Sequence, residues 1–214
     1  MKRINLNFNR KIGVDMKMVK DLIMYQATTR DYKVGDILEF GKVRNYQAER
    51  VFKTSYRMDG AENGMAEMFL AEKLKKKNKK LKREEMKAIC DILFSYGFSM
   101  RELGYEICRQ LYYKDEPSRL TSMFLCEKAE DAKCYLTTAQ SKGKSTDPKV
   151  VGVKLNGKIL KASNMFNRRD GKSIDEFIEQ AHDYWKGVDD DFVDIKSVEY
   201  LFEGKAEIVE IIRD

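Results

Sequence analysis

Two aromatic residues, Phe124 and Tyr135, lie eleven positions apart in a stretch that could build a ligand site. This stretch, residues 118–136, starts with a short apolar run after Pro117, which predicts a buried strand. The second half of the stretch has acidic residues first and lysine later. This order is typical of a helix, because a helix favours negative charge at its N-terminus and positive charge at its C-terminus. We therefore predict a strand that ends at Phe124, a tight turn and a short helix that Tyr135 closes. Ligand sites are common where a strand leads into a helix, and the alternative is that both rings belong to the core.

A carboxylate, Glu199, opens the first of two predicted strands, residues 198–204 and 206–212, which a turn joins. Because successive side chains of a strand point to opposite faces, Glu199 is expected on the face opposite Tyr200 and Phe202. If Glu199 faces a cleft, those two rings face the core. The alternative is a solvent-facing glutamate on an edge strand.

Small polar residues end another predicted strand, residues 22–29, and a turn and a further strand follow at residues 34–38. Gln26, Ala27 and Thr28 lie near the end of the first of these strands. An ordinary strand end is the alternative to a ligand site here.

In this order, the three segments resemble the three motifs of the ADP-ribosyltransferase fold. In the poly-ADP-ribose polymerase branch of that fold, two aromatic residues at the same spacing sandwich the nicotinamide ring of NAD, and Phe124 and Tyr135 match them. The third motif opens a strand with a catalytic glutamate, which Glu199 matches. The C-terminal half also resembles an uncharacterised bacterial family that carries this fold.

The first motif of that fold ends a strand with His or Arg, then a small residue, then Ser or Thr, and Gln26, Ala27 and Thr28 occupy these places. The resemblance implies that the backbone at Ala27 bonds the nicotinamide carboxamide and that Thr28 offers its hydroxyl to the adjoining ribose. Gln26 departs from the usual His, although a Gln amide can still donate to a ribose hydroxyl.

The reaction that the resemblance implies moves ADP-ribose from NAD to a macromolecular acceptor, either a protein or RNA or DNA. Its transition state is like that of glycoside cleavage, so Glu199 would stabilise a positive ribose and orient the acceptor. Thr121 and Ser122 would hydrogen-bond Glu199 and the ribose, while Arg119 would steer the diphosphate or pair with a structural acid. NAD is thus the implied cofactor, used as a substrate. The sequence holds no glycine-rich dinucleotide fingerprint and no P-loop, and this fold needs neither.

We predict one α+β domain over residues 1–214, with a split antiparallel sheet of the ADP-ribosyltransferase type and a helical lobe inserted at about residues 61–115. Residues 1–20 would form an N-terminal arm or an edge strand. The lobe is predicted as three helices, at about 62–82, from Glu84 to Ser95, and after a capping box at Ser99–Glu102.

Two local signals mark the second half of the chain. Asn156–Gly157 lies between alternating segments in residues 150–161 and predicts a β-hairpin. Ser173–Glu176 is a second capping box, which opens a helix that runs to about Lys186. His182 on that helix is expected to be a packed or surface side chain rather than a catalyst.

The composition, 43% hydrophobic and 36% charged over 214 residues, is that of a globular chain. The four cysteines match no zinc spacing and there is one histidine, so no metal is expected. Free thiols, no secretory signal and no apolar membrane span predict a cytoplasmic protein that does not bind membranes, and the resemblance implies a bacterial one. The resemblance also implies a toxin or phage-defence role, with an antitoxin or inhibitor protein as a partner.

The net charge of +6 is concentrated in one run, Lys73–Arg83, which holds eight basic residues and no acid. It could be the solvated end of a helix, or a patch that attracts RNA, DNA or an acidic partner. The second possibility leads to an alternative function, a nucleic-acid- or partner-binding protein with weak or no catalysis. The residues singled out for this patch are Lys75, Lys76, Lys77, Lys79, Lys80, Lys82 and Arg83.

Overall fold

A computed structural model of the chain describes residues 17–53, 82–136, 147–163, 173–188 and 198–213. Within these residues, the order of elements is β1 (Lys17–Thr28), β2 (Ile37–Phe40), α1 (Tyr46–Lys53), α2 (Arg83–Tyr112), β3 (Met123–Leu125), α3 (Ala129–Lys133), β4 (Lys149–Ser163), α4 (Ile174–Trp185) and β5 (Val198–Ile212). The fold is α+β, as predicted. Residues 1–16 and the predicted helix at about 62–82 lie outside the described residues.

All the strands pair antiparallel, in the order β1-β4-β5-β2, and β3 pairs with β5 along the same edge as β2. Just after β3, Cys126 and Tyr25 of β1 exchange two backbone hydrogen bonds of 2.8 and 2.9 Å. The sheet therefore curls, because β3 connects the outer edge of β5 with the outer edge of β1.

The hairpin predicted at Asn156–Gly157 and the turn predicted after Glu203 are both wrong, because β4 and β5 are continuous strands. Gly157 of β4 lies opposite Gly204 of β5. A Cβ atom on Gly157 would lie 2.2 Å from the carbonyl oxygen of Glu203 and 2.8 Å from Cα of Gly204. Gly204 also has a φ of 139°, which favours glycine. These glycines therefore permit the close approach of two strands and do not make turns.

The predicted break between two helices at Ser95–Ser99 is also wrong, because α2 runs without interruption for 30 residues. Ser99 and Glu102 are both buried inside it and cap nothing. Glu102 has tertiary partners instead, among them Arg119 at 2.9 Å. The same local pattern can therefore belong to a helix start or to a buried contact.

The second capping box is confirmed at the start of α4. The backbone N–H of Glu176 donates to Oγ of Ser173 at 3.3 Å, and the N–H of Ser173 donates to Oε2 of Glu176 at 2.9 Å. Farther along α4, His182 is a packed side chain whose Nδ1 lies 3.1 Å from the hydroxyl of Tyr113.

The two largest of four hydrophobic clusters among the described residues lie on the two faces of the sheet. The inner core, inside the curled sheet, takes its buried members from strands alone: Met24, Met123, Leu125, Val151, Val153, Leu155, Ile159, Phe202, Ala206 and Ile208. The outer core lies where α2 and α4 cover the sheet and is rich in aromatic residues: Tyr105, Cys108, Tyr113, Leu160, Ala162, Ala181, Tyr184, Trp185 and Leu201. Nε1 of Trp185 donates to the carbonyl of Tyr105 at 2.8 Å and so ties α4 to α2.

Among the helices of the described segments, none is both long and apolar enough to cross a membrane.

Candidate functional site

A cavity of about 230 Å³ opens where β1, β3, β5 and α1 meet. Five residues that the sequence singled out line it: Gln26, Ala27, Phe124, Tyr135 and Glu199. The remaining lining residues are Gln47, Leu125, Cys126 and Val198. The cavity thus combines two rings, one carboxylate and two side-chain amides.

Strand pairing explains why residues so far apart in the chain meet here. The backbone bonds between Tyr25 and Cys126 bring the end of β1 beside β3. Nε2 of Gln26 then donates to the carbonyl of Phe124 at 3.4 Å. On the other side of β3, Phe124 pairs with Leu201 of β5, two positions after Glu199.

Glu199 faces the helix-covered side of the sheet, as Leu201 of the outer core does. Its side chain is only 12% exposed. Tyr184 of α4 donates its hydroxyl to Oε1 of Glu199 at 2.6 Å, and Nη1 of Arg119 donates to the same oxygen. Burial, together with the negative charge of Glu199, raises the pKa of Tyr184, so this hydroxyl stays protonated and serves as a donor.

Arg119 lies behind the cavity and does not line it. It is 2% exposed, and its Nε donates to Oε2 of Glu102 at 2.9 Å. Nη2 of Arg101 reaches the other oxygen of Glu102 at 2.6 Å. Burial by itself would lower the pKa of Arg119, but Glu102 and Glu199 raise it well above its usual value. In this structure Arg119 is therefore a cation held between two acids.

Three other predicted residues lie away from the cavity wall. Oγ1 of Thr28 accepts the backbone N–H of Arg30 at 3.1 Å. Thr121 donates its hydroxyl to Oε1 of Glu203 at 3.1 Å. Ser122 is buried just before β3 begins, and its carbonyl accepts from the side chain of Asn45 at 2.8 Å. The Thr121 hydroxyl thus bonds Glu203 rather than Glu199, and Oγ of Ser122 is buried without a hydrogen-bond partner among the described residues.

Gln47 of α1 also lines the cavity, and it was not among the residues predicted from the sequence. Asn45 fixes α1 there, because its Nδ2 bonds the carbonyl of Arg119 at 2.7 Å and its Oδ1 accepts the N–H of Ala48 at 3.1 Å. An Asn one residue before a helix is a recognisable capping signal, but nothing in the sequence shows which cavity the helix borders. Oε1 of Gln47 is buried without a hydrogen-bond partner among the described residues.

Cys126 is a second cavity residue that the sequence analysis missed. Burial, the largest cause, raises the pKa of its thiol to about 12. The thiol therefore stays protonated at neutral pH and is a poor nucleophile. Burial also raises the pKa of Tyr135, so both groups face the cavity as neutral side chains.

Most of the basic patch lies outside the described residues. Of its members, Lys82 and Arg83 are described, and both are exposed at the start of α2. Within the described segments, no group of three or more His, Cys, Asp or Glu side chains is arranged to hold a metal ion.

A family model described as a protein of unknown function, DUF2441, matches residues 24–214. The match includes every residue that lines the cavity. No curated protein matches the chain. Because the family model covers most of its length, the chain belongs to the DUF2441 family.

Proposed function

We propose that this protein is an ADP-ribosyltransferase that takes NAD as its substrate and transfers ADP-ribose to a macromolecular acceptor, a protein or RNA or DNA. The observation that carries the proposal is the meeting of Glu199, Phe124 and Tyr135 at one cavity. The proposal includes the fold type, a split sheet of the ADP-ribosyltransferase kind, with the site at the ends of β1, β3 and β5.

The size of the cavity favours one ring and its sugar rather than a whole dinucleotide. Its volume of about 230 Å³ is below the range of roughly 300–1,000 Å³ that is usual for sites of drug-sized ligands. Phe124 and Tyr135 would hold the nicotinamide, and the backbone at Ala27 would bond its carboxamide. The diphosphate and the adenosine would extend outside this cavity.

The charges at the site suit cleavage of the bond between nicotinamide and ribose. A positive ribosyl group forms in the transition state, and a carboxylate beside it lowers its energy. Glu199 is held at the cavity by hydrogen bonds that Tyr184 and Arg119 donate to its carboxylate. Since the Cys126 thiol is protonated, Glu199 is the anionic side chain of the cavity.

The proposal is tested with isotope-labelled NAD and bacterial lysate, comparing the wild-type protein with Glu199→Gln. We expect transfer of label to protein or nucleic acid, and a loss of at least about 100-fold in the variant, since a main stabilising charge is removed. Glu207→Gln is the matched control, because Glu207 lies on the same strand in a partly exposed pair with Lys154. Its activity should equal that of the wild type.

Absence of both label transfer and nicotinamide release would overturn the proposal. Binding of NAD, RNA or DNA without turnover would support the alternative, a binding protein. In that case, reversing the charges of the basic patch should weaken nucleic-acid binding and reduce its dependence on salt. The toxin or phage-defence role and the inhibitor partner stay predictions.

A further inference from the structure

One buried side chain, Arg119, contacts the proposed catalytic glutamate and three other elements of the fold. Its Nη1 reaches both Oε1 of Glu199 on β5 and the hydroxyl of Tyr184 on α4. Its Nε reaches Glu102 on α2 at 2.9 Å. Its guanidinium carbon also lies 5.2 Å from the centre of the Phe124 ring on β3. Arg119 thus connects two residues of the cavity wall to the helices behind them.

The second carboxylate changes the electrostatics of this arrangement. Arg119 is 2% exposed and Glu102 is fully buried, so neither charge is stabilised by bulk water. Glu102 shares the guanidinium of Arg119 and also pairs with Arg101, whose Nη2 lies 2.6 Å from its Oε1. The four side chains thus alternate in charge, and Glu199 is the one that lies at the cavity wall.

We propose that Glu102 and Arg119 are positioning residues that hold the carboxylate of Glu199 in one orientation at the cavity wall. This inference rests on the catalytic role proposed for Glu199. It makes α2 part of the machinery of the site, although α2 supplies no residue to the cavity lining.

The contacts explain why such positioning is needed. A free glutamate side chain samples many rotamers, and fixing it in one of them costs conformational entropy. Here the hydrogen bonds from Arg119 and Tyr184 offset this loss of entropy when the chain folds, before any substrate binds. Preorganised charges are the ones that stabilise a transition state most effectively.

The test is a double variant, Glu102→Gln with Arg119→Met, which removes one negative and one positive charge together. It avoids leaving the buried charge of Glu102 with Arg101 as its remaining cation. The matched control, Glu207→Gln with Lys154→Met, removes the same two charges from a partly exposed pair on the same sheet. Two quantities are measured for each: the kinetics of nicotinamide release, and the orientation of Glu199 in a crystal structure.

In the double variant we expect kcat to fall by about 10- to 100-fold, because misplacement of a catalytic group by about 1 Å has an effect of that size. KM for NAD should stay the same, since neither residue lines the cavity. The Glu199 carboxylate should leave the Tyr184 hydroxyl. The control should change none of these quantities.

An unmoved Glu199 in the double variant would overturn the inference, whatever the activity. If the wild type turns over NAD and the double variant has the same kcat, the inference is also overturned, but the proposed function stands. No turnover in the wild type would instead overturn the proposed function, while a displaced Glu199 would still support positioning. If the double variant does not fold, Arg119→Lys takes its place, because an ammonium group keeps the charge but lacks the fork that spans two carboxylates.

Discussion

The inner core and the outer core of this protein are stabilised by different interactions. The inner core consists of apolar side chains from strands, and it is stabilised in proportion to the apolar area removed from water. The outer core lies beside a buried ionic network, in which Arg119 joins Glu102 to Glu199. Burial alone stabilises the first, whereas in the second each charge needs its partner. In the outer core, the buried network holds Glu199, the carboxylate of the proposed site.

The largest loss of stability is expected where β4 and β5, which contribute to both cores, lie closest together. Gly157→Ala places a methyl group 2.2 Å from the carbonyl oxygen of Glu203, in rigid backbone, so neither core can form normally. We expect a loss of at least about 4 kcal/mol, or no cooperative folding, in urea denaturation. Gly97→Ala is the control, because no atom lies within 4 Å of a methyl group at that position. Replacing a glycine in the interior of a helix by alanine should raise the free energy of unfolding by about 0.5–1 kcal/mol. Equal stabilities of the two variants would contradict the close strand contact.

The next largest loss of stability is expected when the ionic network is broken and the inner core is left unchanged. Arg119→Met leaves Glu102 and Glu199 without their shared cation, which should lower the free energy of unfolding by about 3–5 kcal/mol. Adding Glu102→Gln should recover part of that loss, since it removes a fully buried carboxylate that has lost one of its two cations. The measurement is urea denaturation of the two variants at neutral pH. Additive losses in the double variant would show that the two residues do not act together.

A third, pH-dependent effect belongs to Glu116, in the loop after α2. Burial raises the pKa of this carboxyl from 4.5 to about 7, against an opposing effect of Lys158. The folded protein therefore binds this proton more tightly than the unfolded chain does. The resulting stability is fully present below about pH 4.5 and is lost as the pH rises through about 7.

Glu116→Gln should remove this dependence and make the variant more stable than the wild type at pH 8, by on the order of 2 kcal/mol. Urea denaturation at pH 5 and pH 8 checks it, with Glu207→Gln as the partly exposed control. Parallel pH profiles for the wild type and Glu116→Gln would refute the prediction.

The smallest effect lies in the inner core. Ile208→Val removes one methylene from a fully buried position and should cost about 0.5–1.5 kcal/mol, with catalysis unchanged. Thermal denaturation and nicotinamide release measure the two quantities. A loss of activity larger than the loss of stability would show that the inner core also positions the site.

Local patterns predicted several elements of the fold correctly. The capping box at Ser173 opens α4, and the strand predicted to end at Phe124 exists as β3, although it is limited to Met123–Leu125 because residues 119–121 form a turn. The same kind of pattern failed at Gly157, because a glycine permits both a turn and a close strand contact. It failed again at Ser99, where a cap and a buried helical position look alike in sequence.

By itself, the sequence determined the alternation of β5, which directs Glu199 away from Phe202, and the spacing of Phe124 and Tyr135. These are local properties, set by the period of a strand and by the length of a turn and a helix. Only the tertiary structure decided that Arg119 pairs with acids 17 residues before it and 80 residues after it, and that Gln47 reaches the cavity. A buried charge is stabilised by whichever oppositely charged side chain the fold brings near it. The position of that partner in the sequence follows no helix or strand periodicity, so it cannot be predicted from a local pattern.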